Sequence, residues 1–212
     1  MKAIAQIISV VFHPIVQPIW LLMILLYYAD QSLLLHQSGK KTILLTIFSV
    51  FTTILPVLNI LILKFTGYLK EFEMNDKKER NLPFLICLVY YGGLFYLLVG
   101  SDIPLFYSAF IIASFVLILF NYLINLRWKI SSHAIGAGGV CGALICFSLL
   151  HQREISFLIA GYFLMSGLVL TARLILHKHN QAQVYVGYVS GLILSIFIIP
   201  VSKIIILKIL FT

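Results

Sequence analysis

The segment ARLILHKHNQAQ, at residues 172–183, separates two long apolar segments near the end of the chain. It places four basic side chains within seven residues, namely Arg173, His177, Lys178 and His179. Only 10% of the residues in the whole chain are charged, so this density is unusual. Cationic side chains at the end of a membrane helix often extend to the lipid headgroups. Two histidines beside an arginine nevertheless favour a phosphate site, because an imidazole is a polar group that titrates near neutral pH.

The same alternation of apolar segments and short polar loops runs through all 212 residues, of which 61% are hydrophobic. No soluble core could bury that fraction, so the composition predicts an all-α polytopic membrane bundle of about six to seven transmembrane helices. No Pro/Ser-rich linker or low-complexity run divides the sequence, which predicts one domain over residues 1–212. The net charge of +8 comes mostly from the loops. Anionic headgroups and phosphates are therefore the expected partners, and nucleic acid is not.

Seven apolar segments are candidates for membrane helices. They are residues 4–28, 42–63, 84–99, 103–126, 134–150, 155–176 and 184–199. Segments 84–99 and 134–150 are short for a hydrocarbon core of about 30 Å, so we expect neighbouring helices to shield them in part.

Prolines interrupt this pattern at three places. Pro14 and Pro18 predict a kinked first helix, and Pro56 predicts a kink in the second, because proline removes a backbone donor. The apolar tail at residues 200–211 either continues the last helix past Pro200 or lies in the membrane interface.

Small residues inside the apolar segments indicate close packing. Gly138 and Gly142 form a small-xxx-small face, and Gly187 and Gly191 repeat it in the seventh segment. The cysteines lack the paired spacing of metal sites, and we interpret them as small buried hydrophobes. They are Cys87, Cys141 and Cys146.

The even-numbered loops must share one face of the membrane, because consecutive spans alternate in direction. These loops are residues 64–83, 127–133 and 177–183, and they hold most of the polar side chains. The positive-inside rule would put this face in the cytoplasm. Several of the same charges are also candidate ligands, so the rule does not fix the orientation.

Two of these loops carry further candidates besides residues 172–183. The loop before Pro83 contains Lys77, Lys78 and Arg80, although nearby acidic residues would also fit an ordinary solvated loop. The next contains the sequence SSH at residues 131–133, at the start of the fifth segment. Serine is an ordinary helix cap there. Free backbone N–H groups beside a hydroxyl and an imidazole also favour an anion.

Together these motifs resemble the type 2 phosphatidic acid phosphatase superfamily over residues 77–183, about half of the chain. The motifs of that family are Lys, six residues, Arg-Pro; then Pro-Ser-Gly-His; then Ser-Arg, five residues, His, three residues, Asp. The resemblance implies that His179 is the nucleophile, His133 the general acid and Gln183 the residue that orients His179. Residues implied to hold the phosphate oxygens are Arg173, Ser132, Arg80 and either Lys78 or Lys77.

The sequence departs from the family pattern at several positions. Ala172 replaces the serine before the arginine, while Asn75 and Leu82 stand where lysine and arginine are expected. Gln183 replaces the aspartate that orients the nucleophile. Its carbonyl can accept the imidazole N–H of His179, but it cannot stabilise an imidazolium as a carboxylate does. Losing the carboxylate of an analogous triad costs about 10⁴ in rate.

Three hypotheses follow. The first is an integral-membrane lipid phosphatase that hydrolyses a phosphate monoester or diphosphate lipid, such as a phosphatidate, a polyprenyl diphosphate or lipid A, through a phosphohistidine. Arginine and lysine would take the place of a metal, so no metal or other cofactor is expected. The second is a non-catalytic protein of the same fold that binds or transports a phospholipid or polyprenyl phosphate. The third is an intramembrane prenyltransferase, which Asn75-Asp76 suggests. That class needs paired acidic motifs to bind magnesium, and this sequence has no second acidic cluster.

The first two hypotheses share their partners, a phosphorylated membrane lipid and the bilayer. We expect an integral membrane protein of a bacterial inner (cell) membrane. The sequence leaves the oligomeric state and the identity of the lipid open.

Overall fold

The computed structural model describes residues 1–29, 39–72, 74 and 76–211, and this part of the chain folds into eight α-helices without strands. The helices are α1 (Lys2–Val11), α2 (Gln17–Ile24), α3 (Lys40–Phe65), α4 (Asn81–Leu98), α5 (Leu105–Arg127), α6 (Ser132–His151), α7 (Ser156–Ile175) and α8 (Gln181–Phe211). Asn75 stands at the lysine position of the first phosphatase motif and in the Asn75-Asp76 pair of the prenyltransferase hypothesis. It lies outside the described residues.

Helices α3 to α8 are long and apolar enough to cross a membrane. The shortest has 20 residues, which at 1.5 Å per residue reaches about 30 Å. Their outward faces are apolar, as lipid contact requires; Phe157 and Leu164 are examples, at 88% and 75% exposed. The prediction of an all-α membrane bundle is confirmed, and the chain is an integral membrane protein.

The first apolar segment is not the single kinked helix that the sequence predicts. It forms two short helices, α1 and α2, separated by residues 12–16, and neither is long enough to be one of the six spans. Pro14 lies in the break, and Pro18 lies in the first turn of α2, where a missing N–H costs nothing. Gln17 Nε2 donates to the Phe12 carbonyl at 2.9 Å and so satisfies one group left open by the break.

Two of the predicted irregularities lie within the spans. Helix α3 contains a π turn at Val50–Ile54 directly before Pro56, where the sequence predicts a kink. The proline ring crowds the carbonyl four residues earlier, and a wider turn accommodates it. Helix α8 continues through Pro200 to Phe211, so the tail extends the last helix.

The two segments predicted to be short are extended at their ends. A 3₁₀ turn at Lys78–Arg80 lengthens α4 to a span of 21 residues, and α6 has 20. Neighbouring helices shield α6 strongly, since 72% of its 18-residue apolar stretch is buried. They bury no more of α4 than of the spans on either side of it in sequence. Two of the cysteines, Cys141 and Cys146, are buried as predicted, whereas Cys87 is only partly so.

Helices α6 and α8 pack backbone to backbone through the predicted glycine pairs. A Cβ on Gly138 would lie 2.0 Å from the Tyr188 carbonyl oxygen, and one on Gly191 would lie 2.1 Å from that of Ile135. Only glycine permits so close an approach. The contact places the first turns of α6 and α8 side by side, and it thereby positions the functional site.

Candidate functional site

A cavity of about 140 Å³ lies where the loops before α4, α6 and α8 meet. Its polar lining consists of His13, Thr52, Arg80, Cys87, Tyr91, Asn121, Ser132, His133, Arg173 and His179. Five of the seven predicted site residues are among them, contributed by three loops and the helix ends beside them, which are far apart in sequence. The shared cavity supports the inference that these loops lie on one face of the membrane.

His179 stands directly before α8 and is held by Gln183. The imidazole Nδ1 lies 3.1 Å from Gln183 Oε1, and the backbone N–H of Asn180 donates to the same oxygen at 3.2 Å. An atom that accepts from a backbone N–H is the amide carbonyl, so Nδ1 of His179 carries the proton. The lone pair on Nε2 therefore remains available, and His179 lines the cavity.

Gln183 also caps α8. Its backbone N–H donates to Asn180 Oδ1 at 2.9 Å, while its side-chain oxygen accepts from the Asn180 N–H. This reciprocal pair is a capping box, which satisfies two donors of the first helical turn. The sequence signal, Asn followed three residues later by Gln, was present at positions 180 and 183.

The site has a surplus of positive charge. Burial, followed by the charges of Arg80 and Arg173, lowers the pKa of His179 from 6.5 to about 3, although the Gln183 contact opposes this. Burial and the same two arginines, together with Lys178, also lower the pKa of Lys129. Among the described residues that line the cavity, none carries a carboxylate. An anion would relieve this repulsion.

Arg80 enters the cavity from the 3₁₀ turn before α4. It is 9% exposed, and its Nε donates to the Met74 carbonyl at 2.9 Å, which fixes the guanidinium. The neighbouring lysines are placed differently. Lys77 Nζ donates to the carbonyls of Leu126 and Arg127 at the end of α5. Lys78 is exposed and does not line the cavity.

Ser132 is presented to the cavity by its neighbours. Ser131 is the cap of α6, as predicted, because its Oγ accepts from Ala134 N at 3.4 Å. Asn121 Nδ2, on α5, donates to Ser132 Oγ at 2.8 Å. The hydroxyl proton of Ser132 is therefore left to donate to a ligand. Sequence reasoning missed Asn121, although a polar amide within an apolar helix is a recognisable signal.

Ser9 on α1 forms hydrogen bonds with the two remaining site residues, Arg173 and His133. Arg173 Nη1 donates to its hydroxyl at 2.5 Å, and His133 Nε2 donates to its backbone carbonyl at 3.0 Å. Because a carbonyl only accepts, His133 carries its proton on Nε2. Ser9 is 6% exposed on a helix whose outward residues are mostly apolar. Sequence reasoning assigned it no role.

The turn between α1 and α2 forms another wall of the cavity. The ring of His13 meets that of His133 edge-on, with the centroids 5.0 Å apart. Gln17 Nε2 donates to the His133 carbonyl at 3.2 Å, and Thr53 Oγ1 donates to the Ile15 carbonyl at 3.0 Å. The break in the first apolar segment thus packs directly against the site.

Comparisons with protein-family models, with curated proteins and with solved structures find no match. The function must therefore be argued from the chemistry of the cavity. That chemistry combines an imidazole with a free nitrogen, one buried and one half-buried guanidinium group, an oriented hydroxyl and a second imidazole that carries a proton.

Proposed function

We propose that the protein is an integral-membrane lipid phosphatase that hydrolyses a phosphate monoester or diphosphate lipid through a phosphohistidine. The observation that carries this proposal is the single cavity into which four helices and their loops bring a nucleophile, a proton donor and buried positive charge. The bacterial inner membrane remains our predicted location.

Phosphate binding would use the two arginines and Ser132. A guanidinium group offers paired N–H donors that match two phosphate oxygens, and burial strengthens the attraction. The hydroxyl of Ser132 donates to a third oxygen. In this arrangement arginine supplies the charge that a metal supplies in other phosphoryl-transfer sites.

The reaction has two steps. In the first, Nε2 of His179 attacks phosphorus; the P–N bond forms, the P–O ester bond breaks, and the leaving alkoxide takes the Nε2 proton of the His133 imidazolium, which the bound phosphate dianion stabilises and which is left as a neutral imidazole. In the second, water attacks the phosphohistidine; the P–N bond breaks, His133 recovers a proton from the water, and phosphate leaves. His133 must release the Ser9 carbonyl to donate that proton, so the position of α1 bears on the rate.

The second candidate function is non-catalytic binding or transport of a phosphorylated lipid. The observation that favours it is the amide at position 183, which holds Nδ1 of His179 but brings no negative charge to an imidazolium. All the groups that bind phosphate are retained in this alternative, and only the covalent step is lost.

Phosphate release from mixed lipid phosphates by the purified protein in EDTA separates the two functions. The phosphatase predicts release that His179→Ala abolishes, together with an acid-labile covalent phosphate on the wild-type protein. His177→Asn is the matched control, because His177 lies in the same loop but is exposed, and asparagine tolerates its φ of 51°. Unchanged release in His179→Ala would remove the nucleophile from the proposal. Lipid binding without release would establish the alternative.

A further inference from the structure

A second, smaller cavity of about 80 Å³ adjoins the first inside the bundle. Residues that line both cavities are Pro14, Tyr91, Ile118, Asn121 and Ser132. The proposed phosphate site therefore opens directly into the smaller cavity, and a ligand held by its phosphate would have its organic part at this junction.

The residues that line the smaller cavity extend along two helices. Along α5 its lining runs from Asn121 to Phe110, about 16 Å at 1.5 Å per residue, and along α6 it runs from Ser132 to Val140, about 12 Å. A cavity of this volume and length has the cross-section of one hydrocarbon chain at most. Its direction, from the loop end of both helices toward their middle, is the direction of the membrane interior.

Glycines on α6 let other lining residues pack closely against this helix. A Cβ on Gly139 would lie 2.7 Å from Leu117 Cδ1, and one on Gly136 would lie 2.2 Å from Gln17 Oε1. The rest of the wall is largely apolar, and Ser114 is a small lining residue on α5. An apolar chain fits this lining, because it forms few hydrogen bonds and gains from leaving water.

Asn121 places one polar atom at the entrance. Its Nδ2 is used by Ser132, while its Oδ1 is buried and has no hydrogen-bond partner among the described residues. The side chain is 5% exposed. A buried acceptor without a donor is costly, so a ligand that brings a donor to this point is favoured.

We propose that the smaller cavity binds the single hydrocarbon chain of a lipid phosphate, and that Asn121 Oδ1 accepts a hydrogen bond from a ligand hydroxyl close to the phosphate. The inference rests on the proposed phosphate site and narrows its ligand to single-chain phosphate esters with a free hydroxyl. Diacyl phosphates fit less well, because their second chain replaces that hydroxyl and finds no space in the cavity.

Native mass spectrometry of the detergent-purified wild-type protein tests this directly, because it distinguishes bound intact lipid from product. The probes are oleoyl lysophosphatidate, with one chain and a hydroxyl; oleyl phosphate, with one chain only; dioleoyl phosphatidate, with two chains; and glycerol 3-phosphate, with none. Lysophosphatidate should bind most tightly. Its advantage over oleyl phosphate should be about fivefold, as for one hydrogen bond, and should disappear in Asn121→Ala.

Ser114→Leu fills the smaller cavity without touching the phosphate site. Each buried methylene contributes a factor of about four in affinity, so displacing two should weaken lysophosphatidate binding about fifteenfold. Glycerol 3-phosphate binding should not change. Thr46→Leu adds leucine on the exposed face of α3 and should leave both affinities intact. Ser114→Val, which adds less volume, should give a smaller loss and serves if the leucine variant does not fold.

Equal binding of one-chain and two-chain lipids, with no effect of Ser114→Leu, would overturn the subsite while leaving the phosphate site in place. Equal affinity for lysophosphatidate and oleyl phosphate in the wild-type protein would overturn the role of Asn121. If none of the four probes binds, the proposed function fails and the inference fails with it.

Discussion

Gln183→Glu should increase phosphate release, because it puts a carboxylate where an amide oxygen now accepts the Nδ1 proton of His179 at 3.1 Å. Glutamate has the same reach as glutamine, and it is an equally good partner in a capping box. A negative charge is also favourable in the first turn of a helix. The substitution should therefore preserve the start of α8 while adding one charge to the site.

The size of the effect follows from that distance. Two unit charges 3.1 Å apart attract by about 5 kcal/mol at an effective dielectric constant of about 20. Since one pKa unit corresponds to about 1.36 kcal/mol, this attraction should return the pKa of His179 from about 3 to near its ordinary value of 6.5. The imidazolium that forms during catalysis gains the same stabilisation, and in an analogous triad the carboxylate contributes up to about 10⁴ in rate.

The assay is phosphate release from lipid phosphates at pH 7 in EDTA. Gln181→Glu is the matched control, because it adds the same charge to the exposed side of the same helical turn. Gln183→Asp should gain less, since its side chain is one methylene shorter. His179→Ala in the Gln183→Glu background should abolish the gain. If the glutamate variant melts at the wild-type temperature but releases no more phosphate, the pair is not catalytic, and the binding protein becomes the better account.

The remaining predictions concern other parts of the site. Between pH 7 and pH 5 the wild-type protein should lose about 2 kcal/mol of stability through His179, because its folded pKa of about 3 lies below the unfolded 6.5 and the unfolded state takes up the proton first. Thermal unfolding at the two pH values should show that His179→Ala loses less stability than the wild-type protein, by that amount. Equal losses in the two proteins would refute the burial of a neutral imidazole. Arg173→Lys should impair release almost as much as Arg173→Ala, because a point charge does not replace a planar fork; wild-type kinetics in the lysine variant would make Arg173 a membrane anchor. Ser9→Ala should strengthen phosphate binding about tenfold, because it removes the hydroxyl to which Arg173 donates and leaves the backbone carbonyl that holds His133, whereas Ser9→Thr should bind as the wild type does; unchanged affinity in the alanine variant would make Ser9 a packing residue only.

Hydropathy and loop order were sufficient to predict the bundle. Apolar stretches of adequate length can be satisfied only as helices in a bilayer, and six of the seven predicted segments are spans, whereas the first forms two short helices. Their alternation brought Arg80, His133 and His179 to one face without any knowledge of packing. The His179–Gln183 contact was also predictable, because residues four apart at a helix start lie on one side.

The lysines show where such reasoning stops. Lys77 and Lys78 were equivalent by position, yet one caps the end of α5 and the other is exposed. Lys129 belongs to none of the sequence motifs, although its charge acts on His179. Spacing along a loop does not determine which long side chain reaches a cavity, since that depends on which carbonyls the neighbouring helix ends leave open.

The break in the first apolar segment matters most for the mechanism. Read as one spanning helix, residues 4–28 would form a lipid-facing wall with no part in the chemistry. The prolines instead break the segment and bring Ser9 within hydrogen-bond distance of both Arg173 and His133. Arg173 and His133, which should donate to the phosphate and to the leaving oxygen, thus already donate to α1. Phosphate must compete with Ser9 for Arg173, and the leaving oxygen must compete with it for the His133 proton. Helix α1 has only 10 residues and packs mainly against α7, so it can separate from the site at lower cost than a membrane span, which makes it the element of the fold best placed to set the rate.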